Sequence, residues 1–323
     1  MPNRFARSQV ILAKKEVTYG LDPTPTGAAN AILASNINLV PLQANNVDRN
    51  LVRPYFGASE QLINTRLMQL SYDVELAGSG TVGAVPAWSA LIQACAFAET
   101  IDADYVAYAP VTDNQASVCQ YINDSGVLHV MLGARGTVVC KMNAGEMPVM
   151  SYTFTGLYGA PSASALPTPV YTGFRTPQIP NDAQTLDLVL GGALTLATIP
   201  AITGGTALPS LGLEIDVGNE VPLTPLIGGE TVDVTNRNVS GRLRVDQTPA
   251  QEVARLATIL GAGLTSVGIQ HGTVTGEKVL LWLPTAQFQN PTKEELNGRR
   301  LQGYSLRGVP SAGNDEFRIV TSF

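Results

Sequence analysis

One pattern, written twice, constrains this chain more than any other feature. Across Arg66 to Leu76 (RLMQLSYDVEL), Met68, Leu70, Tyr72, Val74 and Leu76 alternate with Gln69, Ser71, Asp73 and Glu75, the period-two signature of a strand with one face in a core and one in water. Across Arg237 to Val245 (RNVSGRLRV), Val239, Leu243 and Val245 alternate with Asn238, Ser240, Arg242 and Arg244, and Gly241 takes the place of Leu70. Each stretch is followed by a turn and a proline-led apolar run, Pro86 to Cys95 and Pro249 to Leu256. Both runs predict a helix with proline in its first turn. Farther on, Met150, Tyr152, Phe154 and Gly156 match Gln302, Tyr304, Leu306 and Gly308 at equal separation. Strand, helix and strands recur in one order, which predicts an internal duplication.

A duplication needs room for two domains, and 323 residues supply it. Only 14% of the residues are charged and 6% aromatic, with 31 Gly and 21 Pro breaking the chain into short runs. That composition predicts a β-rich protein with many loops, much of whose surface is covered by neighbouring subunits. The net charge of -6, from 20 basic and 26 acidic residues, is the wrong sign for a protein that grips nucleic acid. The opening MPNRFARSQV lacks the apolar core of a secretory signal, and no run has the length of a membrane span. Cys95, Cys119 and Cys140 are odd in number and widely spaced, which predicts free thiols in a reducing compartment.

Taken in order, residues 1–35 read as a basic arm (Arg4, Arg7, Lys14, Lys15) whose prolines deny it a regular helix and which packs extended across something else. Residues 37–63 read as a long connection between strands, with Leu51, Val52, Tyr55 and Phe56 offering apolar contact at a polar tip. The corresponding segment of the second half, DVGNEVPLTPLIGGET, is shorter. Residues 101–125 give no clear pattern. Gly126 to Met142 reads as two strands separated by a turn at Gly133 to Gly136, and the Pro- and Ser-rich stretch 159–183 as a linker. The expected division is an arm 1–35, a domain 36–162, a linker 163–184 and a second domain 185–323.

No constellation of catalytic residues stands out. Gly78, Gly80 and Gly83 spell G-x-G-x-x-G after a strand, with Asp102 near the place of a ribose-binding acid. However, the preceding strand alternates, whereas a parallel dinucleotide-binding strand is apolar on both faces, and the second copy has DQTPA instead of the glycines. A strand-to-helix turn is the expectation. His129 and His271 lack ligand-spaced partners, Asp102, Asp104 and Asp113 lack a calcium-loop spacing, and no G-x-S-x-G elbow exists. No enzyme activity, metal or cofactor is expected.

The opening KKEVTYGLDPTPTGAANAIL, the long hairpin, the alternating strand, the helix and the closing VMSYTFTGLYGAP resemble a tail tube (major tail) protein of long-tailed bacteriophages. The resemblance is good from Val10 to about Ser162 and weaker in the duplicated half. It implies a mainly β fold: two tandem β-sandwich or half-barrel domains, each flanked by a helix, whose sheets join between subunits into a large barrel. It implies a virion tail component assembled in the host cytoplasm, whose partners are its own ring neighbours and stacked rings, the tape measure protein, and tail terminator and tail-tip proteins. DNA would pass through without being specifically bound, and no membrane is involved.

Within that expectation Gln69, Ser71, Asp73 and Glu75, with Ser240, Arg242 and Arg244, face a water-filled lumen. Met68, Leu70, Tyr72, Val74, Tyr152 and Phe154, with Leu243, Val245, Tyr304 and Leu306, face a sandwich core. Asn46, Asp48, Arg49, Leu51, Arg53, Tyr55 and Phe56 make the contacts between rings. Relatives with one tube domain resemble each other in being hexameric, so a duplicated chain is expected to close the same pseudo-sixfold ring with three copies. The alternatives are a hexamer whose residues from about 175 onward decorate the outside, and a secreted β-sandwich adhesin.

Overall fold

The alternating stretches and their neighbours pair into one large antiparallel sheet system in the computed structural model, which describes residues 4–197 and 199–323. The chain is mainly β, 51% strand and 7% helix. Its first half runs β1 (Gln9–Lys15), a single turn α1 (Gly27–Asn30), β2 (Ala31–Ile32), the long hairpin β3 (Ala34–Asp48) and β4 (Gln61–Glu75), and α2 (Ser89–Gln93). It continues with β5 (Phe97–Ile101), β6 (Val106–Pro110), β7 (Val118–Asp124), β8 (Val127–Asn143), β9 (Val149–Tyr158) and β10 (Ser162–Ala163). The second half runs β11 (Leu188–Leu190), β12 (Ala193–Thr195), β13 (Ala201–Thr203), β14 (Thr206–Leu208) and β15 (Ser210–Asp216). Four short strands follow, β16 (Asn219–Glu220), β17 (Leu223–Leu226), β18 (Gly229–Val232) and β19 (Asn236–Arg237). It ends with β20 (Ser240–Val245), α3 (Pro249–Leu260), β21 (Leu264–His271), β22 (Val279–Leu296), β23 (Arg299–Gly308) and β24 (Arg318–Thr321).

The two halves repeat one pairing scheme. In the first, β3, β4, β9 and the C-terminal part of β8 lie side by side, while the N-terminal part of β8 pairs with β7, β7 with β1, and β1 with β2. In the second, β15, β20, β23 and the C-terminal part of β22 lie side by side, while the N-terminal part of β22 pairs with β21, β21 with β11, and β11 with β14. Even the last strands correspond, β10 lying on β8 and β24 on β22. The differences are insertions: β5 and β6 in the first half, β12 and β13 and then β16 to β19 in the second. Among the described residues two strand pairings join the halves, β8 with β15 and β24 with β6.

Each long strand serves two sheets by bending at a bulge, which inserts an extra residue and increases the local twist. In β8 the register shifts between Leu132 and Arg135, where Gly133 has φ +57°. A side chain at Gly133 would place its Cβ 2.6 Å from the Tyr19 ring. The buried Glu16 carboxylate fixes the bend from outside, accepting from Gly133 N at 2.7 Å and from the Ser117 hydroxyl at 2.6 Å. The turn expected at Gly133 to Gly136 is therefore a bulge within one continuous strand, because its glycines serve close approach and not chain reversal. In β22 the shift falls between Gln289 and Thr292, at Pro291.

Three further expectations change on folding. Residues 9–15 of the expected arm form β1, pair with β7 of the same chain, and bury Val10 to Ala13. Most of the expected 37–63 connection is strand, since β3 and β4 extend to Asp48 and from Gln61. The helix in the first copy is five residues long and starts after Pro86, whose carbonyl accepts from Ser89 N at 3.0 Å, so the proline opens a turn. Its counterpart α3 spans twelve residues, with Pro249 at its start and a capping box between Thr248 and Gln251.

Candidate functional site

Because β8 pairs with β15, the four-strand layers of the two halves form a single run of eight: β3, β4, β9, β8, β15, β20, β23, β22. One face of that run packs inward. Met68, Leu70, Tyr72 and Val74 on β4, Tyr152 and Phe154 on β9, Leu243 and Val245 on β20, and Tyr304 and Leu306 on β23 are all buried. Tyr152 and Phe154 stack with centroids 5.5 Å apart, Tyr72 lies 5.8 Å from Phe154, and Phe288 meets Tyr304 edge-on at 5.4 Å. The Tyr72 hydroxyl donates to Gln120 Oε1 at 3.0 Å, and burial pushes the Tyr72 and Tyr152 phenols up. Cys95, Cys119 and Cys140 are buried and unbridged, and burial raises the Cys140 thiol to about 12. Cys95 and Cys140 fill space as apolar groups, while the Cys119 thiol donates to Asp22 Oδ1 at 3.6 Å.

The other face is mainly polar, with Val40, Val139 and Val149 among its residues. Gln69, Ser71, Asp73 and Glu75 are half-buried along β4, opposite Thr155, Thr153, Ser151 and Val149 of β9. Ser240, Arg242 and Arg244 lie on the same side of β20, opposite Arg307, Ser305 and Gly303 of β23. Register also brings Lys141 of β8, Glu214 of β15 and Arg242 into one row. The two arginines are not isolated: Arg242 reaches Glu294 Oε1 at 2.9 Å and Arg244 reaches Glu294 Oε2 at 3.7 Å. Asp73 accepts from Asn36 Nδ2 at 2.7 Å. Sequence reasoning missed Lys141, Glu214, Asp216 and Glu294, whose segments TVVCKM, LEID and TKEEL alternate over too few residues to show which face each takes.

The β3–β4 hairpin extends past its neighbours and ends in a tip, residues 49–60. There Val52 and Phe56 are wholly exposed, and Leu51 and Tyr55 about half or more. Arg49 pairs with Glu60, Arg53 lies 3.7 Å from the same carboxylate, and Gln61 bridges to Asp48 Oδ1 at 2.5 Å and from Asn46 at 3.3 Å. Polar side chains stiffen the base while apolar ones point out. The equivalent connection in the second half, residues 217–239, folds back on the chain: Asn219 Nδ2 donates to Cys95 O at 2.7 Å and Gly136 O at 2.9 Å, and Arg135 reaches Val232 O at 2.6 Å and Asp233 Oδ1 at 2.5 Å.

The glycine turn cradles no ligand. Gly78 N donates to Glu277 O, Gly80 N to Gly276 O and Gly83 N to Ser322 O, so its amides are spent on the other half of the chain. A Cβ on Gly83 would sit 2.4 Å from Ala103 O, beside the Asp102 carbonyl. The expected strand-to-helix turn is also a clasp between the two halves. His271 is buried between the Thr185 hydroxyl and Gln178 O, each at 2.8 Å, and its imidazole is pushed down by desolvation. His129 is lowered for the same reason. Among the described residues no group of three or more His, Cys, Asp or Glu gathers as metal ligands, and no helix is long and apolar enough to cross a membrane.

No curated protein matches the chain. The family model described as phage tail tube protein matches residues 6–292, reaching from β1 into the last part of β22. The chain therefore belongs to the phage tail tube protein family, and is a structural component of a virion tail.

Proposed function

We propose that three copies of this chain close into a pseudo-sixfold ring and that rings stack into a hollow conduit, filled first by the tape measure protein and then traversed by genomic DNA. The observation that carries the proposal is the continuous run of eight strands made of two topologically equivalent quartets. Strands about 4.8 Å apart and tilted about 40° each occupy roughly 6 Å of circumference, so eight cannot surround a duplex about 20 Å across. Three chains would supply roughly 24 strands and a bore on the order of 40 Å.

The polar face suits the lumen of such a ring. Asp73 and Glu75 repel phosphate, and Glu294 pairs with both arginines and offsets one of the two charges that would otherwise hold it. The exposed apolar tip of the β3–β4 hairpin suits contact with the next ring, and its residues Asn46, Asp48, Arg49, Leu51, Arg53, Tyr55 and Phe56 are assigned there. Tail terminator and tail-tip proteins would meet the same surfaces at the two ends, and assembly would take place in the host cytoplasm. A hexamer with a decorating C-terminal half is disfavoured, because that half supplies four of the eight strands in the run. The mass of one ring, measured on assembled tubes, tests the count. Three chains per ring are expected, and six would overturn it.

A further inference from the structure

Among the described residues the run of eight ends in two unpaired edges, the outer side of β3 and the outer side of β22 beyond its bulge. Unpaired edges offer rows of main-chain donors and acceptors to another strand. Resting on the ring reading above, we propose that these edges pair with each other between successive copies, in a register already written inside each chain by the β8–β15 joint. In the duplication β22 stands where β8 stands, and β3 where β15 stands. The joint within the chain is the template for the joint between chains.

The correspondence fixes individual residues. Lys141 lies opposite Val149, which lies opposite Glu75; in the second half the matching position opposite Leu301 is Glu294. Glu214 lies opposite Arg242, and Arg242 corresponds to Ser71, whose partner on β3 is Asn38. Within the chain Lys141 pairs with Glu214 and Cys140 with Ile215. Between chains Glu294 therefore pairs with Asn38, Lys293 with Leu39 and Glu295 with Ile37, as antiparallel neighbours.

Two observations bear on the pairing. Carried one step past Thr292 and Val40, the register sets Pro291 against Pro41. Both residues sit at bulges and neither has an amide hydrogen, so regular main-chain pairing ends at this point on both edges together. In addition, α3 lies on β22 through the Glu252–Lys293 pair and Arg255 over the Phe288 ring at 4.6 Å, yet leaves Val253 and Leu260 exposed. On the opposite edge Ile37 and Leu39 pack only partly into the core. Pairing brings these uncovered apolar groups to the same boundary.

Main-chain bonds from Ala144 N to Leu211 O and from Val217 N to Val138 O leave Lys141 and Glu214 as a non-hydrogen-bonded pair, the closer of the two antiparallel arrangements. Glu294 and Asn38 inherit it, and cysteines there fall within disulfide reach. The test is the variant Glu294→Cys/Asn38→Cys, assembled under reducing conditions, checked for tubes by electron microscopy and then oxidised. Covalent multimers ending at three chains are expected, with at least tenfold less cross-linking for Glu294→Cys paired with Asn36→Cys or Val40→Cys. Preferential cross-linking of a shifted pair overturns the register while leaving the ring intact. Tubes that cross-link through none of the pairs overturn the edge pairing, whereas rings of six chains strike at the subunit count alone. In the unmodified protein, amide exchange across 36–40 and 292–296 should slow at least tenfold on assembly. Unchanged exchange in both segments would overturn the proposal even where the cysteine variants fail to assemble.

Discussion

At the scale of single residues, polar groups do the joining. Glu16, Arg135 and Asn219 are buried charged or amide side chains, and each ties a bend or a loop to main-chain groups that would otherwise lack partners. His271 does the same for the segment between the halves, holding Thr185 and Gln178 to β21. Its folded-state affinity for a proton is lowered, so stability is full above the unfolded value of about 6.5 and is lost as pH falls below it toward the folded value. His129 acts in the same direction. Urea midpoints measured at pH 7.5 and pH 5.5 should therefore differ, the lower pH being less stable. His271→Gln should shrink that difference at some constant cost; an unaltered pH dependence would remove His271 from this role.

At the scale of elements, the long hairpin is the part whose removal should separate folding from assembly. Val52→Ser/Phe56→Ser changes two wholly exposed side chains, and such substitutions shift stability by about 0.5 kcal/mol or less. Unfolding midpoints should be unchanged and rings retained, while tubes fail to elongate; normal tubes would show that the tip lies elsewhere. The elements differ in how far the sequence discloses them. β4, β20, β9 and β23 are legible because each alternates over several turns of the period and one face is a core. β8 reads as two strands because Gly133 and Gly136, which permit a bulge and a close approach, look the same in sequence as a turn. β6 and β7 bury residues on both faces and so lose the alternation that marks a strand. The short strands β16 to β19 have no period at all. The bulges at Pro41 and Pro291 escape the sequence because no local pattern announces them.

At the scale of the whole molecule, the proposed conduit makes charge on the polar face the property to alter. Asp73→Asn/Glu75→Gln should leave assembly intact and slow genome release, and unchanged release kinetics would place those residues away from the bore. Glu294→Gln should slow release further, because it frees Arg242 and Arg244 together and leaves cationic rows facing phosphate. The exposed pairs contribute little to stability, about 1 kcal/mol at most, so the two effects are separable by an unfolding measurement. The inequality of the two connections adds a constraint of a different kind. One projects and the other is folded down, so a wall that repeats at intervals of roughly 60° would be keyed only at intervals of roughly 120°. Successive layers would then have three equivalent seatings instead of six, and the screw angle of the finished tube would be chosen by where the protruding tips find purchase, not by the barrel beneath them.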